Sequence, residues 1–168
     1  MKIYRFEHKK KQTGMFSTDL NDTEFEDLQR TIRRRLMNHF NEYPDDLRDP
    51  KDEFAKMISK RDTDKNYDVI DFVMMKDQKL AREYQDFIDY IYSNGIFGCT
   101  NVERVSKWIL NDEKLLDNML KCGYFLYEFE LKENSNIYEL ETQVVFKRQH
   151  IIKQKVLHAK TILKEFFK

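Results

Sequence analysis

A chain of 168 residues, 40 % hydrophobic and 36 % charged, is long enough to bury one real core and too short to need several domains. Thirty Lys/Arg balance thirty Asp/Glu, so net charge supplies no general attraction to nucleic acid or to an anionic membrane. Thirteen Phe, nine Tyr and one Trp provide large surfaces for burial, while four Gly and two Pro argue against a many-turned β fold.

The opening MKIYRFEHKKK has no apolar signal region, and the chain contains no apolar run of membrane-spanning length. A cytoplasmic protein without a membrane partner is expected, with Cys99 and Cys122 as reduced thiols. The alternation in KIYRFEH predicts a short strand with Ile3, Arg5 and Glu7 on one face. KKKQTG follows as a turn, and Met15-Phe16 begin a second short strand.

NDTEFEDLQRTIRRRLMNHFNEY reads as a helix. Thr23 and Glu26 fit a capping box, acids crowd the first turn, and Phe25, Leu28, Ile32, Leu36 and Phe40 recur at helical spacing. Pro44 ends it. Asp49-Pro50 supplies a cap and a first-turn proline for a short helix with Phe54, Met57 and Ile58 inward. RDTDKNYD is a polar joint, after which Asp68 to Ser93 predicts a long helix with Val69, Val73, Leu80, Tyr84, Phe87, Ile88 and Ile91 on one stripe. Gly95 is expected to close that helix in a left-handed cap.

IFGCTNVERVSKW reads as a loop-to-helix joint: Thr100 and Glu103 form the S/T-x-x-E capping box, and Val102, Val105, Trp108 and Ile109 share a face. Asn111-Asp112 restart a helix with Leu115, Leu116, Met119 and Leu120, and Gly123 stops it. The period then changes to two. YFLYEFEL places Phe125, Tyr127, Phe129 and Leu131 on one face, KENSN turns, and IYELETQVVF returns with Tyr138, Leu140, Thr142, Val144 and Phe146 together. Residues 149–167 carry Ile152, Val156, Ala159, Leu163 and Phe166 at helical spacing and predict a final basic helix. The fold class expected is α+β, one helix-rich domain over residues 1–168. A helical segment spans about 20–93, and the N-terminal strand joins the 124–146 hairpin in a small antiparallel sheet under about six helices.

Charge is segregated along the chain. Residues 147–168 hold seven Lys/Arg against one Glu, and residues 42–90 hold fourteen Asp/Glu against nine Lys/Arg. Arg30, Arg33, Arg34 and Arg35 band the first long helix, and with Lys153, Lys155 and Lys160 they are the candidate contacts to a partner protein or nucleic acid. No metal site is expected. Asp62-Thr63-Asp64-Lys65-Asn66 starts like a calcium loop, but Tyr67 stands where the loop needs glycine and Val73 where it needs a bidentate glutamate. There is no GxSxG and no phosphate-binding glycine loop, so no cofactor is assigned and a non-enzyme is favoured.

Arg5 on the first strand and Glu139-x-Glu141 on the last resemble the order found in ADP-ribosyltransferase-like folds. That resemblance implies Arg5 as the residue holding a nicotinamide dinucleotide and Glu141 as the catalytic glutamate. The middle S-T-S strand of the pattern is missing, because Ser17-Thr18 falls too early, in a turn.

YRFEHKKKQTG, FGCTNVERVSKW and GYFLYEFEL…ETQVVF resemble small accessory proteins of phages and prophages, a resemblance that leaves about residues 20–92 unmatched. Other phage proteins of this size block host defence systems, anti-CRISPR proteins among them. The function this implies is non-enzymatic binding and inhibition of a host nucleic-acid-processing defence complex, in the host cytosol, through the acidic middle or the basic terminal helix. The partner would be a host protein or ribonucleoprotein. An ADP-ribosyltransferase-like or RNA-cleaving enzyme, and a nucleic-acid-binding protein using basic helices, are the alternatives.

Overall fold

The computed structural model describes residues 1–14, 26–42, 49–62 and 78–167. Two antiparallel sheets of three strands organise them. In the first, β3 (Tyr124–Leu131) lies between β1 (Lys2–His8) and β6 (Ile151–Leu157); in the second, β5 (Val144–Lys147) lies between β2 (Gly95–Gly98) and β4 (Tyr138–Glu139). The helices are α1 (Glu26–Glu42), α2 (Pro50–Asp62), α3 (Gln78–Tyr92), α4 (Val102–Trp108), α5 (Glu113–Lys121) and the single turn α6 (Ala159–Ile162). The α+β class expected from the sequence is the class observed. Among the described residues, no helix is long and apolar enough to cross a membrane.

The two sheets are stitched along β1. Tyr4 N–H donates to Cys99 O at 2.7 Å, and Cys99 N–H returns a bond to Tyr4 O at 2.8 Å. Gly98 makes that approach feasible, since a Cβ there would collide with Ile3 Cγ2.

Strand alternation distributes the core into layers. Phe6, Tyr124 and Leu126 join α1, α4 and α5 in one apolar cluster, with Ile32, Leu36, Trp108, Leu116 and Met119. The opposite face of the same strands, through Ile3, Tyr127 and Phe129, packs on Val144 and Phe146 of β5. Val145 points the other way and meets Phe54, Ile58, Tyr84 and Phe87 of α2 and α3. Phe54 stacks on Phe87 with centroids 4.1 Å apart. The order is therefore helices, sheet, sheet, helices. The helical spacing read from the sequence accounts for most of these contacts, but Met57 of α2 is exposed because the stripe defined by Phe54 and Ile58 leaves it on the rim.

Several local expectations are corrected. Residues 124–131 and 138–146 do not pair: β3 takes β1 and β6 as its neighbours, while β4 and β5 fold on each other, Tyr138 facing Val145. The predicted return strand is broken at Glu141-Thr142, so Tyr138 and Leu140 fall in a different cluster from Val144 and Phe146. The predicted final helix is β6 over its first half, since β3 offers a free backbone edge and Ile151-Ile152 and Val156 suit an extended chain. Residues 95–98, read as part of a loop, form β2 against β5.

Helix ends are corrected too. Asn101, not Thr100, caps α4, its Oδ1 accepting from Arg104 N–H at 2.9 Å. Asn94 (φ 72°), not Gly95, takes the left-handed position after α3. Asp49 caps α2 as expected, accepting from Lys51 N–H at 2.8 Å, and Gly123 (φ +84°) stops α5. The Met15-Phe16 strand, the Thr23 cap with Phe25, Pro44, the calcium-like loop and the start of the helix expected from Asp68 lie outside the described residues.

Candidate functional site

Arg5 and Glu7 sit two residues apart on β1, so alternation sends both to the face that carries Ile3. That face is interior: Arg5 is 7 % exposed and Glu7 is 2 % exposed. Buried charges need partners, and these have them. Arg5 Nε donates to Glu7 Oε1 at 2.8 Å and Arg5 Nη1 donates to Phe97 O of β2. Arg148, just past β5, donates to the same Glu7 oxygen at 2.6 Å and to Gln12 O at 3.0 Å. Burial lowers the affinity of the Arg5 guanidinium for its proton, while the Glu7 carboxylate opposes that shift. The cluster fastens β1, its following turn, β2 and the end of β5 together.

Glu139 and Glu141 lie elsewhere. With Thr100, Asn101, Arg104, Leu140, Gln143 and Val144 they line a shallow cleft of about 190 Å³ between the β4–β5 turn and the start of α4. Arg5 is not among its lining residues. Arg104 reaches across and donates from Nη1 to the Glu141 carbonyl, so the guanidinium serves the turn's backbone. Beneath the turn lies a carboxylate that sequence reasoning missed. Glu53 of α2 is buried and accepts from Thr142 N–H, from Thr142 Oγ1 at 2.8 Å and from Gln143 Nε2 at 3.3 Å. Nothing local marks Glu53, because its partners stand some ninety residues further along the chain. Cys99 is close by, its Sγ 4.0 Å from Thr142 O, and burial pushes its thiol up to about 12, with Glu53 adding to the shift and Arg104 opposing it. Such a thiol is a poor nucleophile. Cys122 is likewise a buried thiol.

The basic candidates divide by element. On α1, Arg30 pairs with Glu26 one turn earlier, and Arg35 pairs with Asp112, the cap of α5. Arg34 is exposed and Arg33 is half-buried. Lys160 of α6 pairs with Asp117 of α5 at 2.5 Å. Lys153 and Lys155 project from β6 opposite Glu130 and Glu128 of β3. The run Ile152 to Val156 is exposed at every residue, with Ile152 62 % and Val156 52 % accessible. The C-terminal charge surplus is thus displayed partly along an outer strand rather than along a helix. Among the described residues, no group of three or more His, Cys, Asp or Glu side chains is placed to hold a metal ion.

This small α+β chain is a phage protein. It belongs to the bacteriophage T4 Y00F protein family, whose model matches residues 1–160. No curated protein and no solved structure matches it.

Proposed function

We propose that this phage protein acts by binding, without catalysis, and inhibits a host nucleic-acid-processing defence complex of protein or ribonucleoprotein, as anti-CRISPR proteins do. The observation that carries the reading is the outer strand β6. Five consecutive exposed residues there mix two lysines with Ile152 and Val156, a combination suited to a contact surface. Membership of a phage protein family is consistent with action in an infected host cytosol. Of the groups the sequence offers for chemistry, Arg5 is engaged with Glu7 and the Phe97 carbonyl, away from the cleft that Glu139 and Glu141 line.

The test is capture from a bacterial lysate on the immobilised full chain. Enrichment of a nucleic-acid-processing complex, whose activity then falls as the chain is added, is the expected result. Recovery of no protein or ribonucleoprotein above a control column overturns the proposal.

A further inference from the structure

The two ends of the first sheet are not alike. At one end β1 is occupied, bonded on its outer side to Cys99 and so to the second sheet. At the other end lies β6, and among the described residues no strand pairs with its outer side. An unpaired strand edge presents a row of N–H and C=O groups ready to bond another extended chain. The register with β3 skips Ile152, which bulges from β6, so the regular part of the edge is Lys153–Leu157. That stretch contains no proline or glycine.

The side chains on this edge select what can join it. β3 is already one strand that pairs with β6, and it sets Glu128 opposite Lys155 and Glu130 opposite Lys153. On the alternate positions Phe129 faces Gln154 and Tyr127 faces Val156. Alternation puts Lys153 and Lys155 on one face of β6, both exposed, so a strand added on the outer side lies beside the same two cations. A second copy of this chain is a poor occupant: antiparallel pairing about Gln154 sets Lys153 against Lys155 twice, and like charges directly opposed are unfavourable. Registers shifted by one residue set one lysine against isoleucine or valine and the other against glutamine, supplying a carboxylate to neither.

We infer that the outer edge of β6, over Lys153–Leu157, binds an extended segment of a partner protein by strand addition. The segment carries carboxylates at alternate positions, opposite Lys153 and Lys155, and an apolar residue opposite Val156. This deepens the binding reading above, on which its biological meaning rests, by naming the chemistry of the partner's contacting segment.

The probe is a synthetic peptide alternating glutamate with valine. Two control peptides accompany it, one with lysine for each glutamate and one N-methylated at alternate residues so that its backbone cannot complete a ladder. Binding to the full chain is read by fluorescence anisotropy and by amide chemical-shift changes. The glutamate peptide is expected to bind with shifts concentrated at Lys153–Leu157, and both controls to bind at least about tenfold more weakly, in keeping with two lost cross-strand ion pairs or a lost ladder. Lys153→Thr/Lys155→Thr, which keeps a strand-forming side chain at both positions, is expected to weaken the glutamate peptide by about tenfold while the chain keeps its native circular dichroism spectrum and a single unfolding transition. No binding of the glutamate peptide overturns the inference, and so does binding that the N-methylated or lysine peptide reproduces. The two proposals fail separately. If a host complex is captured equally well by wild type and by the double variant, the edge assignment falls while the binding function stands. If the peptide binds as described but no host complex is captured, the reverse holds.

Discussion

At the residue scale, the chain's polar side chains divide into those that hold the fold together and those left facing water. Glu7 is the plainest of the first group. Its carboxylate receives both Arg5 and Arg148 in a site almost closed to solvent. Removing one member of such a group leaves an uncompensated buried charge, which costs about 3–5 kcal/mol, whereas replacing the pair by apolar residues of similar volume is far milder. Glu7→Gln is therefore expected to lower stability to urea by about 3 kcal/mol, and Arg5→Met/Glu7→Leu to regain much of that loss. Equal destabilisation in the single and double variants would remove the ion group from the account. That Arg5 and Glu7 share the Ile3 face was legible from the alternation of KIYRFEH. That the face is interior was not, because it depends on Val144 and Phe146 closing over it from the second sheet. Glu53 shows the same gap in stronger form. A glutamate in the first turn of a helix ordinarily serves the helix dipole, and only the distant Thr142-Gln143 turn makes this one a clamp.

At the element scale, helices were easier to read than strands. A helix satisfies its backbone within itself, so the 3.6-residue stripe and its caps are local information. Even so, a cap can be misplaced by one residue when two capping residues adjoin. Thr100 and Asn101 both fit, and Asn101 takes the role because its extended backbone (φ −142°, ψ 161°) aims Oδ1 at Arg104 N–H. Asn101→Ala should cost about 1 kcal/mol in thermal or urea unfolding, with Thr100→Ala near neutral; the opposite ranking would restore the Thr100 box. Strands, by contrast, need partners that lie anywhere in the chain. Ile152, Val156 and Ala159 satisfy a helical stripe as well as Lys153, Lys155 and Leu157 satisfy an alternating one. The unpaired edge of β3 settled the choice.

At the scale of the whole molecule, the layers share residues: Phe97 packs against the cluster beneath α4 and against the one beneath α3, and the Tyr4–Cys99 bonds tie one sheet to the other. We expect one unfolding transition, with Trp108 fluorescence and far-ultraviolet circular dichroism coinciding. Two separated transitions would contradict a single domain over residues 1–168. The transition should also respond to alkaline pH. Burial pushes Cys99 up from 9.0 to about 12, and Tyr84 and Tyr90 up from 10.0 to about 12. The unfolded chain then releases these protons from about pH 9 upward, at the ordinary thiol and phenol values, while the folded chain retains them until about pH 12. Stability is consequently full below about pH 9 and is lost progressively as pH rises through that window. Urea midpoints measured at about pH 8.5, 10 and 11 should fall in that order, and Cys99→Ala should flatten the first step; a midpoint constant across the window would refute the assignment.

The sequence by itself determined the α+β class, the helix stripes around Ile32, Leu36, Phe54, Phe87 and Leu116, the strand character of residues 2–8 and 124–131, and the phage resemblance. It did so because periodicity and capping are written over a few adjacent residues. Tertiary structure alone decided which strands pair, that the basic C-terminal segment is an outer strand, and that Arg5 belongs with Arg148 and not with Glu141. Backbone edges and buried charges find their partners through space: Cys99 for Tyr4, Thr142 for Glu53 and Arg148 for Glu7 each lie far along the chain from the group they meet.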